Sequence, residues 1–477
     1  MTGDTTDSFS GASSLQYLSL LLAVSCLAYG LLAEPPTDLS ARGFTALTVF
    51  GFGLALWQSK VVPYIVTSLL VIGLLFALGT VGSFQEATTG FASTLFFFFF
   101  SILVLGHAIS KVGLDTLVAQ QLLATSTTPR TSVRQLAKYV LALSFVMPSA
   151  LARMVAFSPV VGEVADIYDL DRDDGFTTTS FLLLGQLNPI ASMSLMTGGG
   201  LPIIGAQLIQ TAGYPIDWID WALYMIPPTL FVYSFAFVAL ERLYPATTGV
   251  VRSQPTDGGR DIVERQSMTR EQRTVGVVMV ATLVAWAVTP FLGVPTVLPA
   301  IVAVAVLAAP RVRVLGSDDL TEVSWGILFL IGTMFSLIEV LDATGAFDWL
   351  IGTVSGVVPF ASFSTLTVAA VLLAFVVVMR MLFPSGSACL LVVIPIIVSF
   401  GQVYELNVLY LSFSAVLLVG STVLIPLHIP PSLLAYNWGY VDTNEVLTYG
   451  LCNLVFAGVS VCLAWFVYWP FLESTLY

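Results

Sequence analysis

The stretch MRMLFPSGSACLLVVIPII, residues 379–397, decides the fold. A proline, two serines and a glycine interrupt an otherwise apolar run, and Arg380 stands just before them. A helix broken inside lipid frees backbone N–H and C=O groups, and each costs several kcal/mol if left unsatisfied. Such a break survives only where protein or a water-filled cavity meets the freed groups.

Composition places the whole chain in the same setting. Its 477 residues are 57% hydrophobic and 10% charged, with mean hydropathy +0.92, against about 25% charged in a soluble domain. Apolar runs of helix-spanning length recur from end to end, and they are continuous rather than alternating, which excludes a β-barrel. Cys26, Cys389, Cys452 and Cys462 all lie in apolar runs without a CxxC spacing and read as small buried hydrophobes. The first 14 residues carry no Lys or Arg, so the first apolar run reads as a retained helix rather than a cleaved signal. The net charge of −12 fits acidic solvated loops.

Hydropathy predicts helices near 15–33, 42–58, 61–81, 90–110, 176–212, 218–243, 273–291, 295–310, 323–341, 406–436 and 445–470. Two more apolar segments, 134–165 and 362–401, are interrupted midway and read as re-entrant hairpins. Two long helices carry breaks of their own, MTGGGLPI at 196–203 and IPLHIPPS at 425–432. With the N-terminus inside and eleven crossings, every basic residue except Arg42, Arg153 and Arg380 falls on a cytoplasmic loop, fourteen of the 17. This bias sets orientation and puts the C-terminus outside.

The chain also repeats itself. Pro148-Ser149 and Pro159 recur as Pro384-Ser385 and Pro395, so PSALARMVAFSP aligns with PSGSACLLVVIP, and Gly113 similarly meets Gly345. The polar segment 245–272 reads as a cytoplasmic linker between the halves. Residues 1–41 hold the N-terminal tail and first helix, 42–244 the first half, 273–470 the second, and 471–477 a short tail. Each half makes five crossings, so the second is inserted upside down. The expected fold is an all-α polytopic membrane protein with about 11 transmembrane helices, two re-entrant hairpins and two inverted repeats with discontinuous helices. That arrangement points to a secondary transporter with a midplane site.

Four segments carry a family resemblance. FVMPSALARMVAFSPVV and LFPSGSACLLVVIPI look like the two hairpins of the divalent anion:sodium symporter (DASS) family, with Ser149, Ala150, Leu151 and Ser385, Gly386, Ser387 at its Ser-Asn-Thr positions. SLMTGGGLPIIGAQL matches the first broken helix at Thr197 and Gly198, and IPLHIPPSLLAYNWGYV the second at Pro430 and Pro431. The resemblance covers roughly residues 40–470. It implies transport of carboxylates or sulfate, a moving bundle of hairpins and broken helices against a scaffold of helices 1–4 and 7–9, and a homodimer. It also implies sodium at Ser149, Gly198, Gly199, Ser385 and Ser387, and no other cofactor. The chain departs from the pattern where it matters: the tip asparagines are Ala150 and Gly386, and the asparagine after the proline pair is Ser432. Sodium coupling, proton coupling and anion exchange therefore all stay open.

Arg153 and Arg380 each lie about one helical turn from a tip. A guanidinium suits carboxylate or sulfate, and a charge at this depth needs a cavity or a partner. The competing reading is an ion pair with an acid such as Glu163 or Glu339, or snorkelling to an interface. His428, inside the second break, is a candidate for anion binding or proton relay, and equally a hydrogen-bonded filler. His107 reads as a buried, hydrogen-bonded residue. Enzymatic motifs and a nucleotide-binding P-loop are absent from the sequence, and nothing suggests nucleic acid. The function expected is secondary active transport of small anions across the plasma membrane. An ion antiporter or arsenite-type permease of related architecture, or a channel, are the alternatives.

Overall fold

The computed structural model describes residues 14–59, 61–114, 116–117, 128–170, 174–246, 268–383 and 385–476. Most of the expected linker 245–272, and the tip proline Pro384, lie outside the described residues. Among those residues every regular element is helical. Six helices are long and apolar enough to cross a membrane, and five shorter apolar helices accompany them.

In chain order the helices used below are α1 (Ser14–Leu32), α2 (Ala41–Ser59), α3 (Tyr64–Ala77), α4 (Thr94–Lys111), α5 (Pro129–Ser144), α6 (Ala150–Ile167), α7 (Gly175–Leu182), α8 (Asn188–Ala191), α9 (Gly200–Thr211) and α10 (Trp218–Leu243). There follow α11 (Arg270–Val288), α12 (Val297–Ala308), α13 (Trp325–Ala343), α14 (Ala346–Val357), α15 (Thr365–Leu382), α16 (Gly386–Val403), α17 (Val408–Ser421), α18 (Pro430–Asn437), α19 (Thr443–Leu463) and α20 (Trp469–Leu476). The segments expected as hairpins form the helix pairs α5–α6 and α15–α16, and the chain leaves helical structure at both expected breaks. Helix α14 is absent from the hydropathy reading because it is amphipathic, with polar and small residues breaking up its apolar run. It begins after Gly345, whose φ of 72° lies in the left-handed region, as does the φ of 67° at Gly113. Only glycine takes that conformation without strain, which explains why the alignment of the halves preserved it.

The helices cluster into two compact units. The first holds α1–α3, α13 and α14, with the segments between and flanking them. Its helices meet through small residues, as packing in lipid favours: Gly30 abuts Thr48, and Gly51 abuts Cys26. Gly90 donates its N–H to Ser336 Oγ at 3.0 Å and lies against the Gly332 carbonyl, too close for any side chain. Tyr404 closes the unit with a hydroxyl bond to Ser355 Oγ at 3.0 Å.

The second unit holds α4–α12, both hairpin tips, both breaks and α17–α20. Helices α4, α11 and α12, expected with the scaffold, thus cluster with the hairpins instead. At the end of α4 this unit carries a charged cluster around Asp319, which itself lies between α12 and α13. Asp319 accepts from Lys111 Nζ at 2.6 Å, from the Gly316 N–H at 2.6 Å, and lies 3.1 Å from His107 Nε2. Burial alone would raise the Asp319 carboxyl, but these partners outweigh it and hold its pKa at about 2. His107 is hydrogen-bonded as expected, but it is half-buried rather than buried.

Helix α10 shows how the unit handles a helix that cannot complete its own hydrogen bonds. Pro227 and Pro228 lie inside it and lack the N–H groups that would reach Leu223 O and Tyr224 O. Tyr468 donates its hydroxyl to Leu223 O at 2.7 Å, and Trp469 donates its indole N–H to Tyr224 O at 3.0 Å. The C-terminal segment therefore supplies the donors that two consecutive prolines remove. Tyr468→Phe and Trp469→Phe should each cost about 1–3 kcal/mol, the penalty for a shielded carbonyl left without a donor. Thermal unfolding of the detergent-solubilised variants checks this, with exposed Phe466→Leu as a neutral control. Wild-type melting in both variants would refute the assignment.

Candidate functional site

The two hairpin tips share one local design. At the first, Ser149 is the N-cap of α6 and its Oγ accepts from the Ala152 N–H at 3.1 Å. At the second, Ser385 Oγ faces the Ala388 N–H of α16 at 3.5 Å. Capping of this kind satisfies a donor that a helix start leaves free. Pro159 and Pro395 lie inside the second arms at matching positions, and Ser158 Oγ bonds the Val155 carbonyl that Pro159 leaves without its N–H at 3.2 Å.

The breaks are built differently. The first is gradual: α7 passes into a π-helical turn at Leu183–Leu187, then α8, then a 3-10 turn at Ser192–Ser194 before the chain extends to Gly199. Gly198 packs its backbone onto the Ser192 carbonyl, so no larger residue fits there. Thr197 is buried and its hydroxyl accepts from the Trp218 indole at 3.2 Å. The second break is abrupt, running from the end of α17 at Ser421 to Pro430 at the start of α18. His428 folds back within it, and its Nδ1 accepts the Leu424 N–H at 3.2 Å. A ring nitrogen in that acceptor role carries no proton. Pro430 and Pro431 open α18, where their missing N–H groups cost nothing.

The arginines join tips to breaks. Arg153 is fully buried. It donates Nε–H to Asn188 Oδ1 at 2.7 Å, its Nη1 to Met147 O, and its Nη2 to Ser192 Oγ and, at 3.4 Å, to Asn188 O. Arg380 is equally buried. It donates Nε–H to Val419 O at 3.0 Å, Nη1 to Phe383 O at 2.6 Å and Nη2 to His428 O at 3.2 Å. Each guanidinium thus ties the carbonyl just before a hairpin's tip proline to the neighbouring broken helix. No carboxylate pairs with either among the described residues, so the ion pairs considered with Glu163 and Glu339 do not form. Nor does either side chain snorkel.

These pieces meet in one place. A Cβ on Gly386 would stand 3.1 Å from Leu201 and 3.5 Å from Val419, and Gly420 lies against Met193 and Leu201. Gly199 faces Ser192 and the Pro148 carbonyl. Ser149, Ala150, Arg153, Gly198, Gly199, Arg380, Gly386 and His428 therefore belong to one cluster, with Ser385 and Ser387 at its half-buried edge. The start of α6 also borders an open cavity of ≈ 490 Å³ whose lining includes Ser110, Ser149, Leu151, Val155 and Glu163. Asn188 and Ser192 escaped the sequence reading. Asn188 holds both Arg153 and, through Nδ2, the Ala150 carbonyl at 2.8 Å. Their signal was present as QLNPIAS inside an apolar run, two polar residues four apart and so on one helix face.

Comparison with known proteins agrees with this architecture. A "Membrane protein" of Cupriavidus necator is 23% identical over 95% of this chain and 92% of its own length. The sodium-dependent dicarboxylate transporter SdcS of Staphylococcus saprophyticus is 21% identical over 96% of this chain and 92% of that one, and its Staphylococcus aureus counterpart is 21% identical over 95% and 92%. The crystal structure of the Alcanivorax borkumensis YdaH transporter superposes with a TM-score of 0.57 at 15% identity, covering 95% of this chain and 99% of that one, which shows a shared fold. The sequence model of the sodium:sulfate symporter transmembrane region matches residues 13–475, and the chain belongs to that family.

Proposed function

We propose that the protein is a secondary active transporter of small divalent anions, a di- or tricarboxylate or sulfate, working by alternating access. The observation that carries this reading is the convergence of two hairpin tips and two helix breaks on a pair of buried guanidinium groups without a carboxylate counterion. Helix starts at Ala150, Gly200 and Gly386 add the positive ends of three dipoles to the same region. An anion placed there completes the charge balance. The relatives named as dicarboxylate transporters favour a carboxylate over sulfate.

In this reading the tip N–H groups of Ala150, Leu151, Gly386 and Ser387, with Ser149, Ser385, Thr197, Gly198, Pro430 and Pro431 around them, form the walls of the substrate site. Arg153, Arg380 and His428 stand behind the walls. The two guanidinium groups act through their field, and all three residues hold the backbone, since their hydrogen-bonding atoms are turned onto protein. The halves 42–244 and 273–470 act as inverted repeats with hairpins that return to their own side, the N-terminus faces the cytoplasm, and the C-terminus faces out. The cavity beside α6 is the cytoplasmic access route to the first tip. The first unit is the surface through which a homodimer forms.

Sodium is the coupling ion in the family's name, and its fit here is poor. A hard cation wants oxygen ligands, yet Ala150 and Gly386 offer no side-chain oxygen at the tips, and Ser149 Oγ already accepts a backbone N–H.

Arg153→Ala and Arg380→Ala should each raise the KM for uptake at least about tenfold, since loss of a partner from a buried charged contact costs about 2–5 kcal/mol. Uptake of labelled succinate, citrate and sulfate into proteoliposomes measures this, alongside gel filtration to confirm a folded carrier. Wild-type uptake by both variants would remove the cation pair from the mechanism. The access route makes a separate prediction. In a background without native cysteines, Leu151→Cys and Val155→Cys, 39% and 52% exposed, should react with an impermeant thiol reagent applied from the cytoplasmic side, and substrate should protect Leu151→Cys. Labelling only from outside would invert the topology.

A further inference from the structure

The oxygens that gather behind the tips are already engaged. Met147 O, Asn188 Oδ1, Asn188 O and Ser192 Oγ accept from Arg153, and Phe383 O, Val419 O and His428 O accept from Arg380. Cages of this kind, made of carbonyl, amide and hydroxyl oxygens at a helix break, are what a bound alkali cation would need. Here each is filled by a covalently attached cation. We infer that the two guanidinium groups are the resident cations of the carrier in place of coupled sodium, and that the protein is an obligate anion exchanger.

The sequence offset argues that this substitution is organised rather than incidental. At 236 residues Met147 corresponds to Phe383, but Arg153 falls opposite Cys389 and Arg380 opposite Ser144. The arginines are therefore not copies of one residue. One comes from the second arm of its hairpin and the other from the first arm, yet both deliver Nη1 to the corresponding carbonyl. Two unrelated positions supply the same charge to equivalent places.

Exchange follows from the tether. In a symporter the coupled cations leave with the substrate, and the emptied carrier reorients without their charge. A guanidinium cannot leave. The emptied site keeps two positive charges that no carboxylate offsets among the described residues, and a divalent anion cancels them. Moving uncompensated charge through the low-dielectric interior slows reorientation by about a hundredfold for each charge. The empty carrier is therefore trapped on one side until another anion binds, and net uptake without counter-transport is negligible.

The inference rests on the reading of the chain as an anion carrier, and one set of assays separates the two. The full-length protein is reconstituted into liposomes that contain unlabelled succinate, citrate or sulfate, or no transportable anion, and the same labelled anions are added outside. The expected result is uptake at least about a hundredfold faster with internal counter-anion, unchanged when sodium is replaced by choline, and insensitive to a potassium–valinomycin potential for like-for-like exchange. Uptake driven by a sodium gradient into anion-free liposomes would overturn the exchange inference and leave the carrier reading standing. So would a potential-driven flux of anion alone. Absence of counterflow with all three anions would defeat both. A binding readout stands beside these: a protein that holds sodium in its native state is stabilised by it. The purified carrier should therefore melt at the same temperature in sodium, potassium and choline chloride, and sodium-specific stabilisation would contradict the proposal.

Discussion

A backbone carbonyl inside the bilayer must find a donor within the protein, and this constraint organises the molecule. The chain creates unpaired carbonyls in quantity, at prolines inside helices, at two hairpin turns and at two breaks. Several of these are met by donors of matched kind. Ordinary helix defects receive neutral donors, as Tyr468 and Trp469 serve α10 and Ser158 serves Val155. The breaks around the cluster receive charged ones. A guanidinium has five N–H groups in a rigid fork, so one arginine can answer several carbonyls from different segments at once. It does so while installing a positive charge, and an anion carrier can use both properties.

Much of this architecture was legible in the sequence. Segments 134–165 and 362–401 emerge as the interrupted helix pairs α5–α6 and α15–α16, since Pro-Ser inside an apolar run is a strong local signal. The left-handed glycines at 113 and 345 were visible as matched positions. Periodicity and composition suffice for such features because they depend on residues close together in the chain. The amphipathic helix α14 was missed because Asp348, Gly352, Thr353, Ser355 and Gly356 interrupt its apolar residues.

The environment of the arginines was not legible. Position alone suggested that they sit near the tips, and they do. Most of their partners are backbone carbonyls, at Met147, Asn188, Phe383, Val419 and His428, and since every residue carries a carbonyl, no sequence pattern marks the five that are used. Glu163 and Glu339 looked like partners only because a carboxylate is a conspicuous residue. Asn188 and Ser192 were the one readable hint, a polar pair on a single helix face within an apolar run. The membership of α4, α11 and α12 in the second unit likewise depends on tertiary contacts that hydropathy does not encode.

The pairing of Pro227 and Pro228 with Tyr468 and Trp469 has a consequence for how the protein is made. About half the chain separates the two carbonyls of α10 from the groups that satisfy them. During synthesis α10 enters the membrane long before the C-terminal residues exist, and for that interval its middle turn lacks two hydrogen bonds. Until Tyr468 and Trp469 dock, Leu223 O and Tyr224 O have no side-chain donor inside the protein. The two segments, far apart in the chain, therefore fold as one cooperative unit, and α10 is not complete before both are in place.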